Sequence, residues 1–412
     1  MIIMKYLKML FHKKWTLGFI IYVVSFFQLH AQDSLEISLL SCSPGTELYS
    51  TFGHSAIRVR DFVASTDYVF NYGTFNFREK NFYLKFMQGK LNYYLTVTTY
   101  DEFMYEYQME DRAVYEQVFG LSNNQKVSLY RDLQINALPA NRRYKYDFFW
   151  DNCSTRVRDK VEQIFDQKII YPIKNDNLTF RDYLHKYLTN QPWSRFGIDL
   201  ILGLPADELT DARKAMFLPL EMMYVYDETK VEGRPTNTAS RELFAQKSKL
   251  QTTNWFTPFK DLSIMLIIST LLYVFGKKLF IYTFLKTAFM VLAGLAGLII
   301  SFLWFVADHQ TTEFNLHLIW ANPILLLYPF RKRLFSQSLL NKLSKIFIGM
   351  LVALFFWFPI CPQNMPQECL IIWFLMILFV FPDTNWSFMI NQNQNENPAK
   401  PVARKNNYIL MS

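Results

Sequence analysis

The chain of 412 residues carries 43 Lys plus Arg against 35 Asp plus Glu, a net charge of +8, with 51% hydrophobic and 17% aromatic residues. That apolar content excludes wholesale disorder, and with 13 Gly and 16 Pro the chain is neither collagen-like nor of low complexity. The mild basic excess sits beside long apolar runs, so it gives no argument for a nucleic-acid partner.

At the N-terminus Lys5, Lys8, Lys13 and Lys14 precede an apolar stretch from Trp15 to Leu29, and Ala31 stands before Gln32 and Asp33. This is the pattern of an export signal over residues 1–32, with an uncleaved anchor helix as the alternative. Either reading puts the following residues outside the cytoplasm. Residues 33–258 contain no membrane-length apolar run and read as one exported domain.

Apolar stretches then recur at 262–276, 284–307, 314–330, 346–361 and 369–382. A helical span takes roughly 17–25 residues, so an all-α region of about five spans is predicted over 259–385. Charge placement supports the odd number. Lys277 and Lys278 fall in the first connection, and Arg331, Lys332, Arg333, Lys342 and Lys345 around the third. Lys400, Arg404 and Lys405 lie in a basic tail, 386–412, that begins with the polar run 391–398. The second connection, with Asp308 and Glu313, and the fourth have no Lys or Arg. With residues 33–258 outside, every basic segment is cytoplasmic. Asn322-Pro323 is expected to kink the third span. Asp308, His309, Glu313 and His317 are expected to form an acidic, solvated outer loop beside the lipid headgroups.

Two segments of the exported domain carry chemistry. In YSTFGHSAIRVR (49–60), Ile57 and Val59 alternate with Arg58 and Arg60, which predicts a strand. Gly53 can take an unusual φ at its mouth, placing His54 at the edge of a cleft. In YKYDFFWDNCSTRVRD (144–159), Asp151 and Asn152 are good helix caps, and Val157, Val161, Ile164 and Phe165 follow with helical spacing. Cys153 is thus predicted in the first helical turn, where free N–H groups and the helix dipole, with Arg156 and Arg158 nearby, would lower its pKa.

A cysteine nucleophile needs a base and a group to orient that base. His54 is the better candidate for the base. His185 is expected at an exposed helical position. Asn71, in the strand-like run YVFNYG (68–73), is the candidate orienter, with an edge or turn asparagine as the plainer alternative. A Cys42–Cys153 disulfide would leave Cys153 structural, and a Cys361–Cys369 bridge across the fourth connection is open as well. Two Cys and two His without paired spacing give the exported domain no metal site, and no cofactor motif is present. The aromatic-rich stretch 82–107 reads either as core or as an acyl groove or lipid-facing surface.

The order of histidine on a strand, then Asn-Cys at a helix start, resembles the circularly permuted papain-like cysteine enzymes, the NlpC and lecithin:retinol acyltransferase group. The longer pattern is closer still. The runs SCSPGTELYSTFGHSAIRV (41–59), VFNYGTF (69–75), FWDNCSTRVRD (149–159), FGIDLILG (196–203) and MFLPL (216–220) resemble the Lnb family, lipoprotein N-acyltransferases of Bacteroides-type bacteria. The resemblance covers the exported domain and fits the following spans. It implies an α+β permuted papain-like periplasmic domain on inner-membrane helices, with Cys153 as nucleophile, His54 as base and Asn71 beside them. It also implies transfer of a fatty acyl chain from a phospholipid, through a Cys thioester, to the N-terminal amine of a diacylated lipoprotein. The competing expectations are a cysteine hydrolase on the same fold, with water as acceptor, and a non-catalytic envelope scaffold.

Overall fold

The computed structural model describes residues 34–381 except 167, 175 and 249–254. The export-signal pattern of residues 1–32 and the basic tail with its polar run lie outside the described residues. What is described is an α+β unit followed by a helical one.

The first unit is built on an antiparallel sheet of seven strands: β1 (Leu35–Cys42), β2 (His54–Asp61), β3 (Thr66–Thr74), β4 (Asn92–Thr99), β5 (Val114–Phe119), β6 (Arg143–Lys145) and β7 (Asn237–Phe244). Their spatial order is β7-β5-β1-β2-β3-β4-β6. The central strands are apolar on both faces because helices cover both. One face carries Ile37, Leu39, Ile57, Val59, Phe70 and Tyr72. It packs under α3 (Asn123–Ala137), α4 (Cys153–Ile164) and α7 (Pro219–Glu228). The other face, with Leu40, Cys42, Ala56 and Val69, lies against Phe103, Met104 and Tyr107 of α2 (Tyr100–Met109), which follows the short α1 (Phe82–Met87).

Alternation along β2 sends Arg58 to the α2 side, where it is buried. Its guanidinium pairs with Asp67 at 2.6 Å and Glu116 at 2.9 Å and lies over the Tyr100 ring. A charge taken out of water is tolerated only when paired in this way.

A second apolar cluster joins Phe149, Phe180, Tyr183, Leu184, Phe217 and Leu218 beside the start of α4. Phe180, Tyr183 and Leu184 belong to α5 (Phe180–Tyr187), which is followed by α6 (Pro192–Ile201). His185 on α5 is not the exposed residue that its sequence setting predicts. Its Nε2 is 2.8 Å from the Asp199 carboxylate of α6, which also pairs with the fully buried Arg181 at 3.0 Å.

The helical unit contains α8 (Pro258–Phe275), α9 (Phe280–Phe305), α10 (Gln337–Trp357) and α11 (Glu368–Val380). The first two, and Gln337–Ile360, are long and apolar enough to cross a membrane, while α11 is shorter. The expected third span is corrected in kind. Instead of one kinked α-helix, residues 310–330 form three 3₁₀ segments, Gln310–Thr312, Leu316–Ile319 and Pro323–Phe330. The side chains of Asn315 and Asn322 cap the second and third, and Pro323 and Pro329 remove two backbone donors.

Irregular backbone at such depth needs protein around it, and α9 provides this with two glycines. A Cβ at Gly297 would overlap the Ala321 carbonyl oxygen, and one at Gly294 would come within 2.8 Å of the Leu326 nitrogen.

The outer loops grip the α+β unit. Gly203 N–H donates to Thr311 O at 3.0 Å, Asn315 Nδ2 to Leu200 O at 2.9 Å and Gln363 Nε2 to Leu202 O at 3.1 Å. The expected solvated acidic loop is therefore mostly a joint. His317 is fully buried, Asp308 N–H donates to Gln88 O at 2.9 Å, and His309 Nε2 donates to Phe86 O at 3.0 Å.

Candidate active site

Asn152 folds the chain locally around Cys153. Its side-chain oxygen accepts from the N–H groups of Ser154 at 2.8 Å and Thr155 at 2.9 Å, and Thr155 Oγ1 accepts from Asn152 N–H at 2.7 Å. This reciprocal capping box makes Cys153 the first residue of α4. The Asn152 amide nitrogen donates to Phe148 O and Phe217 O, so the cap is held by the cluster beneath it.

His54 opens β2 after Gly53, whose φ is +82°. A Cβ at Gly53 would come within 2.6 Å of the Cys42 carbonyl oxygen, so both conformation and space call for glycine here.

The start of β2 meets the start of α4. Ser55 and Ser154 share a hydroxyl–hydroxyl hydrogen bond of 3.0 Å, with both residues fully buried. The Ser55 N–H stands close enough to the Cys153 sulfur to favour its thiolate. Ser55 follows His54 in β2, so the thiol lies on the His54 side of the meeting point. On the far side, Gly73 of β3 lies so close that a Cβ there would touch the Cys153 Cβ at 3.4 Å. Neither Ser55 nor Ser154 stood out in the sequence, because a serine beside a candidate carries no signal until two distant segments meet.

His54 Nε2 donates to Asn71 Oδ1 at 3.3 Å. The orientation of that amide is set by its nitrogen, which faces two acceptors, Thr98 Oγ1 at 3.2 Å and Val69 O at 3.4 Å. With the Nε2 proton committed to Asn71, Nδ1 is the basic nitrogen of neutral His54. His54 and Cys153 make no direct hydrogen bond.

The electrostatics differ from the expectation drawn from sequence. Burial pushes the Cys153 thiol up, despite the N–H groups of Ser55, Ser154 and Cys153 itself, which pull it down. The two arginines expected to help are engaged elsewhere. Arg156 makes a two-point contact with Asp151 at 2.6 and 2.8 Å, and Arg158 binds Asp159 and the Arg213 carbonyl. His54 is lowered to about 4, first by burial and then by the Arg112 charge, with Asn71 opposing. The resting pair is thus a neutral thiol and a neutral imidazole. All four cysteines are free thiols. Cys42, the alternative partner of Cys153, is fully buried, its thiol pushed up to about 12 by burial.

Tyr144 borders the same space beside Gly73 that Cys153 does. Tyr144 and Tyr146 stand close enough for the charge of a Cys153 thiolate to raise both hydroxyls beyond what burial does. Tyr146 stacks on Tyr93 with centroids 4.3 Å apart.

Comparison with known proteins finds two family models on the chain. The Lnb N-terminal periplasmic domain matches residues 26–197, and the Lnb transmembrane domain matches residues 250–385. No curated protein and no solved structure gives a significant match. The two models are halves of one architecture, they match in its order, and the first takes in both segments that meet at Cys153. The chain therefore belongs to the Lnb family, lipoprotein N-acyltransferases of the inner membrane whose catalytic domain stands in the periplasm.

Proposed function

We propose that Cys153 is the nucleophile of this acyl transfer, His54 its base and acid, and Asn71 the group that holds the histidine in the required tautomer. The observation that carries this reading is the meeting of β2 and α4, which sets a helix-capped thiol next to a histidine whose Nε2 proton is already bound.

A membrane phospholipid is the donor. Nδ1 of His54 takes the thiol proton as sulfur attacks the ester carbonyl. The C–S bond forms, the ester C–O bond breaks, and the same proton passes to the departing alkoxide, leaving a lysophospholipid. In the second half the N-terminal amine of a diacylated lipoprotein attacks the thioester. A C–N bond forms, the C–S bond breaks, and His54 carries a proton from nitrogen back to sulfur. The Cys153 N–H at the helix start is one donor for the oxyanion of both tetrahedral intermediates. The half-buried setting of Cys153 and His54 limits how freely water competes with the amine. A neutral pair suits this cycle, because the thiol needs to ionise only when an acyl donor is in place.

Mass spectrometry of lipoprotein N-termini tests the reading in a strain lacking its own N-acylation. The intact chain should restore the third acyl chain, and Cys153→Ala and His54→Ala at equal protein level should not. N-acylation retained by the Cys153→Ala chain overturns it.

A further inference from the structure

From this reading of Cys153, we infer that an exposed apolar strip formed by Tyr49, Phe77, Tyr83, Leu84, Phe86 and Met87 is the surface through which acyl chains of a membrane phospholipid leave the bilayer and reach the sulfur.

The strip is continuous and solvent-facing. Tyr83 is 77% exposed and Phe77 61%. The Tyr49 ring meets Phe77 edge-on at 6.4 Å, and Phe77 lies 5.1 Å from Phe82, which stacks on Phe86 at 6.3 Å. Large apolar residues gathered on one face mark an interaction site. Tyr83, Leu84, Phe86 and Met87 belong to the six-residue helix Phe82–Met87. Phe82 alone points inward, so the short helix serves to display the others.

The position of the strip names its partner. The helix is tied to the outer loop that follows the membrane-length α9, through His309 to Phe86 O and Asp308 to Gln88 O. That loop starts three residues before Asp308, at the end of α9, where Trp304, a residue type that favours a membrane–water boundary, stacks on Phe305 at 4.6 Å. Lys145 of β6 also reaches Asp308, at 3.3 Å. An apolar strip fixed at that height faces lipid.

Its inner end leads to the nucleophile. Phe77 packs on Phe75 at 4.8 Å, Phe75 on Tyr93 at 5.3 Å, and Tyr93 on Tyr144 at 6.4 Å, and the Tyr144 hydroxyl and Cys153 Cβ border the same point beside Gly73, at 3.9 and 3.4 Å. A row of ring contacts thus runs from the exposed strip to the tyrosines beside the thiol, and these rings are the apolar surface along which a hydrocarbon tail would be led inward.

The test uses the full chain in vesicles of phosphatidylethanolamine and phosphatidylglycerol. A phospholipid with a diazirine on its acyl chain is photolysed and labelled peptides are mapped by mass spectrometry. Label within residues 75–87 is the expected result. Label on α8 and α9 with none on 75–87 overturns the inference. In a second arm, acylation of Cys153 by dioleoyl phospholipid is compared with acylation by water-soluble p-nitrophenyl acetate. The ratio should fall at least tenfold in Tyr83→Ser/Phe86→Ser. An unchanged ratio, with wild-type Cys153 taking acyl groups from both donors, removes the strip and leaves the nucleophile. Failure of wild-type Cys153 to take an acyl group from either donor removes the nucleophile itself.

Discussion

Ser55 and Ser154, each the residue after one member of the proposed catalytic pair, hold each other through a 3.0 Å hydrogen bond with both side chains fully buried. This bond sets how β2 and α4 meet, and so fixes His54 against Cys153 more directly than any contact between the two. Ser55→Ala leaves the Ser154 hydroxyl buried without that partner, at a cost of about 1–3 kcal/mol. The double variant Ser55→Ala/Ser154→Ala removes both hydroxyls and should recover part of that loss. A double-mutant cycle on thermal stability in detergent checks this, and strictly additive losses would show that the bond does not couple the two elements.

In the role proposed for it, Asn71 sets the tautomer and orientation of His54, so its removal should damage rate more than stability. Asn71→Ala is expected to lower acyl-transfer kcat by roughly 10–100-fold, in the range seen when a side chain positioning an imidazole is lost. Asn71→Asp places a carboxylate against Nε2, which favours imidazolium and should move the acidic limb of the pH–rate profile upward. A profile identical to wild type in Asn71→Asp would exclude contact between residue 71 and the histidine in the working enzyme.

The pH dependence follows from the direction of each shift. His54 stays neutral in the folded chain down to about 4, against 6.5 when exposed. Between those values the unfolded chain binds a proton that the folded chain does not, so stability rises with pH across that window and is lost on acidification from about 6.5 to about 4. The apparent melting temperature of wild type should therefore fall more steeply there than that of His54→Asn, and parallel curves would contradict the buried neutral histidine. Cys153 is displaced in the opposite sense. Its alkylation by iodoacetamide should keep climbing past the ordinary thiol value of 9.0, whereas a fast plateau in mild acid would reveal a preformed thiolate–imidazolium pair.

The site was legible in sequence where its logic is local. The Asn152 side-chain oxygen bonds within three residues of itself, and Gly53 precedes the residue it frees, so cap, helix start and strand mouth could be read from short windows. Asn71 could be proposed from its strand but not assigned, since its partner lies one strand away. What failed was set by distant neighbours. His185 reads as surface until Asp199 and Arg181 fold over it, and the thiol reads as activated until the packing around it outweighs three N–H groups. The stretch 314–330 has a span's length and hydropathy, yet Asn315, Asn322 and two prolines turn it into 3₁₀ segments that only the glycine face of α9 accommodates.

That glycine face gives a prediction of its own. Gly297 has the Ala321 carbonyl where a side chain would be, so Gly297→Leu must push the 3₁₀ segments away from α9. The displaced backbone carbonyls then lose their protein cover, which apolar surroundings penalise by several kcal/mol for each unsatisfied group. The variant should accumulate poorly in membranes, and full accumulation with unchanged melting would refute the packing.

A glycine at the other boundary separates anchoring from chemistry. A Cβ at Gly203 would overlap the Glu313 carbonyl oxygen, in the joint where Asn315 and Gln363 bind the backbone of Leu200 and Leu202. Gly203→Val should loosen the α+β unit from the outer loops while leaving the β2–α4 contact, more than one element away, in place. Acylation of Cys153 by a soluble ester then continues near the wild-type rate, but acylation from bilayer phospholipid drops, because the site is no longer held at a fixed height above the membrane. The same variant measured in mixed micelles, where lipid reaches the site from any direction, should recover. Equal loss with both donors in both media would mean that Gly203 supports the folded domain alone and that the joint has no part in presenting the site to lipid.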